Sequence, residues 1–271
     1  VHVNQNSSVD QDGQNYESAG ILIGGLINQV NNGGDHRKGY ATMHMDVNGN
    51  KIANVESDFA SYGIKIEQNR MAYGETDITY YPGSAEENDI TNNMIKDINV
   101  TAMDADRFGI RLMTERGGDG HELIEHHPDF LGYTTRNDRI VNNTIVMNNE
   151  NGQATDNNAV FAGIAIQQTS GTEVYNNAVA VMDDMLDPMA DYSSLLLIQG
   201  HLPKDGGPKI DNNAYHIDQN SSAVIVRFVE MQPDKENVLY MNERDDFINL
   251  EQWRVWTGSD WNSIQSRKDS R

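Results

Sequence analysis

Two short patterns recur and alternate along this chain, and they restrict its fold more than any other feature. The first is a small residue followed by alternating apolar positions: Gly20-Ile21-Leu22-Ile23, Ala41-Thr42-Met43-His44-Met45, Gly63-Ile64-Lys65-Ile66, Gly109-Ile110-Arg111-Leu112 and Gly163-Ile164-Ala165-Ile166. Weaker versions stand at Leu196-Leu197-Ile198 and Val224-Ile225-Val226. The second is an apolar residue, a gap, an Asn pair and two more alternating apolar residues. It occurs around Asn92-Asn93, Asn142-Asn143, Asn176-Asn177 and Asn212-Asn213. Both patterns have period two, the mark of a strand with one face inward, and neither carries the 3.6 period of a helix.

Strands this short bury nothing alone. Stacked coil upon coil, about 4.8 Å apart, they fill a continuous column with Ile, Val, Leu and Met. Asn tolerates the left-handed backbone needed where one strand bends into the next, and its amide can pair with the same amide in the neighbouring coil. The expected fold is therefore all-β: a single right-handed parallel β-helix (β-solenoid) with long loops on one face and a short C-terminal capping helix. Second members of the Asn pairs are spaced 50, 34 and 36 residues apart, whereas Leu22 to His44 and His44 to Lys65 are 22 and 21. The shorter steps predict coils of little more than strand and turn. The longer ones predict outer loops at Met71–Asn88, Thr114–Asp138, Met147–Val160 and Asp183–Ser193, where Pro82-Gly83, Gly117-Gly118 and Pro128 fit turns. Asp246 to Trp253 reads as a short amphipathic helix closed by Gly258, needed to cover the open end of a solenoid. The expected division is coils over 1–245 and a cap segment over 246–271.

Charge narrows the partners. Of 271 residues, 41 are Asp or Glu and 20 are Lys or Arg, a formal charge of -21 that disfavours nucleic acid and anionic membrane over a broad surface. No apolar run reaches the ~18 residues of a spanning helix, so no membrane insertion is expected. The chain has no Cys, hence neither disulfide nor thiolate chemistry. Val1 to Gln14 lacks the basic-then-apolar layout of a signal peptide. The expectation is part of a longer polypeptide or surface assembly.

Stacking the first pattern in register aligns Leu22, His44, Lys65, Arg111, Ala165 and Leu197, with Asp46, Glu67 and Met113 two positions on. Lys65, Arg111 and His44 then form a basic stripe pointing away from the core, so replacing Lys65 or Arg111 should leave the melting temperature nearly unchanged. On an acidic polysaccharide, Lys65 would take the proton α to a uronate carboxylate, Arg111 would neutralise that carboxylate, and His44 would act as acid or base. Asp46 and Glu67 are the expected ligands of a Ca²⁺. Glu115, Arg116 and His121, leaving the Arg111 strand, are expected to line the groove, and Tyr73 and Tyr133 to stack on sugar rings. The bland readings are solvated outer positions with modest surface ion pairs and local packing of loop tyrosines. His121 and His126 lie five apart, which does not fit a zinc-protease helix.

The repeat units, over Ala19 to Val226, resemble those of the pectate-lyase-like superfamily. Leu250-Glu251-Gln252-Trp253 followed by Gly258-Ser259-Asp260-Trp261-Asn262-Ser263 is similar to the terminal segment of many bacterial secreted β-helix proteins, although Arg267-Lys268-Asp269 departs from the Asp-Pro ending. The resemblance implies an extracellular or cell-surface bacterial protein that interacts with a surface glycan, as a polysaccharide lyase or glycoside hydrolase if active. The alternative is a non-enzymatic structural or adhesive segment of a large surface protein.

Overall fold

The computed structural model describes residues 3–4, 17–24, 42–57, 60–68, 85–101, 105–114, 135–148, 160–167, 169, 171–182, 193–200, 203, 207–218, 221, 223–233, 239–247 and 249–267. The described chain is all-β with one short helix, in five sheets whose strands are almost all parallel. Sheet A holds β1 (Val3–Asn4), β6 (Val55–Ser57) and β11 (Ile98–Val100). Sheet B, the longest, runs β2 (Glu17–Gly24), β7 (Ala60–Gln68), β12 (Asp106–Thr114), β16 (Phe161–Gln167), β19 (Ser193–Gly200), β22 (Val224–Pro233) and β23 (Leu239–Phe247). Sheet C holds β3 (Thr42–Met43), β8 (Ala85–Glu86) and β13 (Thr135–Arg136). Sheet D runs β4 (Asp46–Asn48), β9 (Asp89–Thr91), β14 (Arg139–Val141), β17 (Glu173–Tyr175) and β20 (Lys209–Asp211). Sheet E runs β5 (Lys51–Ile52), β10 (Met94–Lys96), β15 (Thr144–Met147), β18 (Ala178–Val181), β21 (Ala214–Ile217) and β24 (Ile264–Arg267). Consecutive strands of the chain mostly enter different sheets, and each pairs with the equivalent strand one repeat on, an arrangement compatible with a β-solenoid.

Four of these sheets turn one face to a common core. Val55 and Ile98 come from sheet A, Ile64, Ile110 and Ile164 from sheet B, Ile90 and Ile140 from sheet D, and Ile52, Ile95 and Ile145 from sheet E. Gly109 shows why the first pattern begins on a small residue. A Cβ there would lie 2.5 Å from Cγ2 of Ile145 and 2.5 Å from the Gly163 carbonyl oxygen, so sheet B meets the side chains of sheet E with no room to spare.

The Asn pairs divide their labour as their chemistry suggests. The first members, Asn92, Asn142, Asn176 and Asn212, are exposed and left-handed, with φ of 56°, 58°, 56° and 58°. The second members are buried and form a ladder. The backbone N–H of Asn93 donates to Asn143 Oδ1 (3.0 Å), that of Asn143 to Asn177 Oδ1 (3.0 Å), and that of Asn177 to Asn213 Oδ1 (2.9 Å). Asn50 starts this column on Asn93, 43 residues on.

Helix α1 (Leu250–Thr257) begins four residues later than the sequence suggests, because Asp246 and Phe247 remain in β23. Asn249 caps it by accepting from the Gln252 N–H, and Gly258 ends it in the left-handed region at φ 66°. Leu250 and Trp253 enter the main core, and the chain returns as β24 to sheet E. The terminal motif therefore has a structural explanation: Ser263 Oγ takes the place of the next Asn, accepting the Asn213 N–H (2.6 Å) and bonding to Asp260. No described helix is long and apolar enough to cross a membrane.

Candidate functional site

Lys65 and Arg111 are brought together. They are direct partners between β7 and β12, in a column that runs Leu22, Lys65, Arg111, Ala165, Leu197 and Arg227 across sheet B. His44 is not in that column, which corrects the expected stripe. Leu22 pairs directly with Lys65, so the sequence between them is one repeat and not the two short ones inferred. Thr42-Met43 pairs with Ala85-Glu86 in sheet C, and His44 follows at a left-handed bend (φ 57°), its Nδ1 3.2 Å from Glu87. That bend recurs at Glu87, Asn137 and Gly171, so His44 is a corner residue rather than a strand residue.

Asp46 and Glu67 are likewise apart. Glu67 lies on β7 opposite Met113, while Asp46 is exposed on β4 opposite Asp89. There it heads a row of sheet D in which Arg139 approaches Asp89 (3.0 Å) and Glu173 (3.5 Å), and Lys209 approaches Glu173 (3.2 Å). These exposed pairs contribute little stability. Among the described residues no group of three or more His, Asp or Glu side chains is placed to hold a metal. Tyr73, Glu115, Arg116, His121 and Tyr133 lie outside the described residues, as does the side chain of Glu67.

The outer face of sheet B is not the solvated surface that alternation alone suggests. Tyr62, Phe108, Ala162, Ala165, Leu197 and Val229 form a second apolar cluster, separate from the main core. Lys65 is only 5% exposed. Its Nζ donates to Glu17 Oε2 (2.5 Å) and lies 4.9 Å from the Tyr62 ring centre. The other oxygen of Glu17 accepts from the Tyr62 hydroxyl (3.0 Å), and that hydroxyl in turn accepts from Arg111 Nη1 (3.3 Å). Tyr62 and Phe108 stack at 5.5 Å and an interplanar angle of 7°, and the Arg111 guanidinium lies 4.3 Å from the Phe108 ring centre. Burial pushes the Tyr62 hydroxyl well above its ordinary value; Arg111 pulls it down and Glu17 adds to the rise, leaving Tyr62 a protonated donor at neutral pH. Arg107, in register with Phe161 on the neighbouring strand, is lowered by burial to about 10 and remains a cation at neutral pH.

Glu17, Tyr62 and Phe108 are thus the site members that sequence reasoning misses. Aligning Gly20, Gly63 and Gly109 would have placed Tyr62 opposite Phe108, but no pattern marked Glu17. Chemically, the cluster offers Arg111, half-buried over an aromatic platform, beside a lysine whose charge Glu17 already neutralises. Comparison with protein-family models, with curated proteins and with solved structures returns no match.

Proposed function

We propose that the chain is an extracellular right-handed parallel β-helix of pectate-lyase-like type that binds an acidic polysaccharide on the outer face of sheet B. One observation carries this reading. Among the described residues no carboxylate pairs with Arg111, in a chain where acids outnumber bases 41 to 20. Phe108 and Tyr62 fix its guanidinium, whose planar fork suits a uronate carboxylate, and a fixed donor loses little freedom on binding.

Two further readings each have an observation in favour. A lyase or glycoside hydrolase is favoured by Lys65 and Arg111 standing side by side, one placed to take a proton and the other to neutralise a carboxylate. A non-enzymatic surface segment is favoured by the Lys65–Glu17 pair, which ties up the expected base.

The test is affinity electrophoresis through polygalacturonate, alginate, a glycosaminoglycan and a neutral glucan, with and without Ca²⁺, alongside an ultraviolet assay for unsaturated products. Wild type should be retarded by at least one acidic polymer and not by the neutral one. Arg111→Gln should bind about tenfold more weakly or worse, the value of one charge-assisted hydrogen bond. Absence of binding to every acidic polymer, or undiminished binding by Arg111→Gln, would refute the proposal.

A further inference from the structure

The outer face of sheet E is unlike the acidic chain that surrounds it. On β18, β21 and β24 the residues that alternate away from the core are Ala178, Ala180, Ala214, His216, Ile264 and Ser266. None carries a carboxylate or a permanent positive charge, in a chain of formal charge -21. The three alanines are short beside Ile264, which is 68% exposed, and the face is hollowed there into an apolar groove of about 140 Å³. A hollow of roughly this size takes a small hydrocarbon group.

The groove also holds a polar pair. His216 and Ser266 are register partners between β21 and β24, both line the groove, and Nδ1 of one lies 2.8 Å from Oγ of the other. With the ring proton on Nε2, Nδ1 accepts from the Ser266 hydroxyl, the contact through which an imidazole base activates a serine nucleophile. Ser266 is exposed, so a substrate can reach it.

We infer that this groove is an esterase site, with Ser266 as nucleophile and His216 as base, acting on esters of short aliphatic acids. The uncharged walls select the class: a carboxylate or phosphate group would lose hydration there and gain no cation, whereas a neutral acyl chain gains from burial. In the first half-reaction Ser266 Oγ bonds to the ester carbonyl carbon and its proton passes to His216 Nδ1. That proton then leaves on the alcohol oxygen as the original C–O bond breaks. In the second, water adds to the acyl-serine while His216 takes a proton from it, the bond to Oγ breaks, the proton returns to Oγ, and the acid is released. Water is the sole co-reactant. The site lies on sheet E and does not depend on the glycan site on sheet B.

Hydrolysis of p-nitrophenyl butyrate, together with labelling by a fluorophosphonate read by peptide mass, tests the inference. Wild type should release nitrophenol faster than buffer and carry the phosphonyl group on Ser266. Ser266→Ala and His216→Gln change side chains that face away from the core, so each should melt as wild type does while losing hydrolysis about 100-fold or more. Ala180→Leu, which fills the groove beside His216, should raise KM for the butyrate. A wild type that is no faster than buffer, or that takes no label on Ser266, overturns the inference. So does hydrolysis that survives Ser266→Ala, because the imidazole alone then does the work, or a KM that Ala180→Leu leaves unchanged, because the acyl group then lies outside the groove.

Discussion

Asn143→Ala removes one member of the buried ladder, and the structure gives the size of the loss. The side chain makes four hydrogen bonds: Nδ2 donates to the Ile90 carbonyl (2.8 Å) and Asn177 Oδ1 (3.0 Å), while Oδ1 accepts from the N–H (3.0 Å) and Nδ2 (2.9 Å) of Asn93. After truncation, Asn93 Nδ2 keeps the Val47 carbonyl (2.7 Å) and Asn177 Oδ1 keeps the Asn143 N–H. The Asn93 N–H loses its partner in the interior, while the Ile90 carbonyl keeps its parallel-ladder hydrogen bond from β14 and loses only a second one. One orphaned donor at about 1–3 kcal/mol and one further lost hydrogen bond at about 1 kcal/mol put the cost at about 3 kcal/mol. For a chain of this size that is a fall of roughly 6 °C in Tm. Asn142→Gly is the matched control: Asn142 is exposed and left-handed, a conformation Gly adopts freely, so the cost should stay under about 1 kcal/mol. Differential scanning calorimetry on both variants decides the matter. If Asn143→Ala melts within about 2 °C of wild type, or if Asn142→Gly loses as much, the ladder is not what joins the repeats.

Lys65→Ala should lower Tm by several degrees, contrary to the behaviour of a solvated lysine, because it leaves Glu17 without its closest cation and opens space beside Tyr62; a thermal melt checks this. Asp260 gives a pH prediction of unusual sign. Burial raises its pKa above the ordinary 3.8 against the hydrogen bonds from Ser263 and Tyr215, so the folded state holds the proton more tightly than the unfolded state does. Relative to Asp260→Asn, wild type should therefore gain stability as pH falls through the folded pKa towards 3.8, a difference measured by urea unfolding at neutral and mildly acidic pH. Neighbouring Asp211 has the opposite sign: burial raises its pKa, but donors from Asn262 and Asn212 outweigh it, so its contribution is lost only below 3.8.

The sequence carried the stack because the interior repeats. Gly-Ile-x-Ile and the Asn pairs are read directly as close approach and ladder, since each level places the same demand on the same position. Register failed at Ala41–Met45, where two alternating apolar residues imitate the first pattern. The deciding feature is a left-handed bend at His44, which local composition did not signal because its equivalents are Glu87, Asn137 and Gly171. The error carried His44 and Asp46 into a stripe they do not join. Burial of Lys65 was illegible for a different reason: alternation tells which side of a strand a residue faces, and says nothing about what packs on that side. No pattern singled out Tyr62 and Phe108, and only the register of β7 on β12 sets one above the other.

The amide column has a direction. From Asn50 to Asn213 each member donates towards the C-terminus, so the proton donors form a one-way series. Such a series can end without loss only on a group that accepts and does not donate in return. A further Asn would merely pass the requirement on. Ser263 hands it to Asp260, whose two carboxyl oxygens accept, one from Ser263 and the other from Tyr215. That acid is therefore a terminator: moved to an earlier level, the same Ser-and-Asp arrangement should end the amide series there.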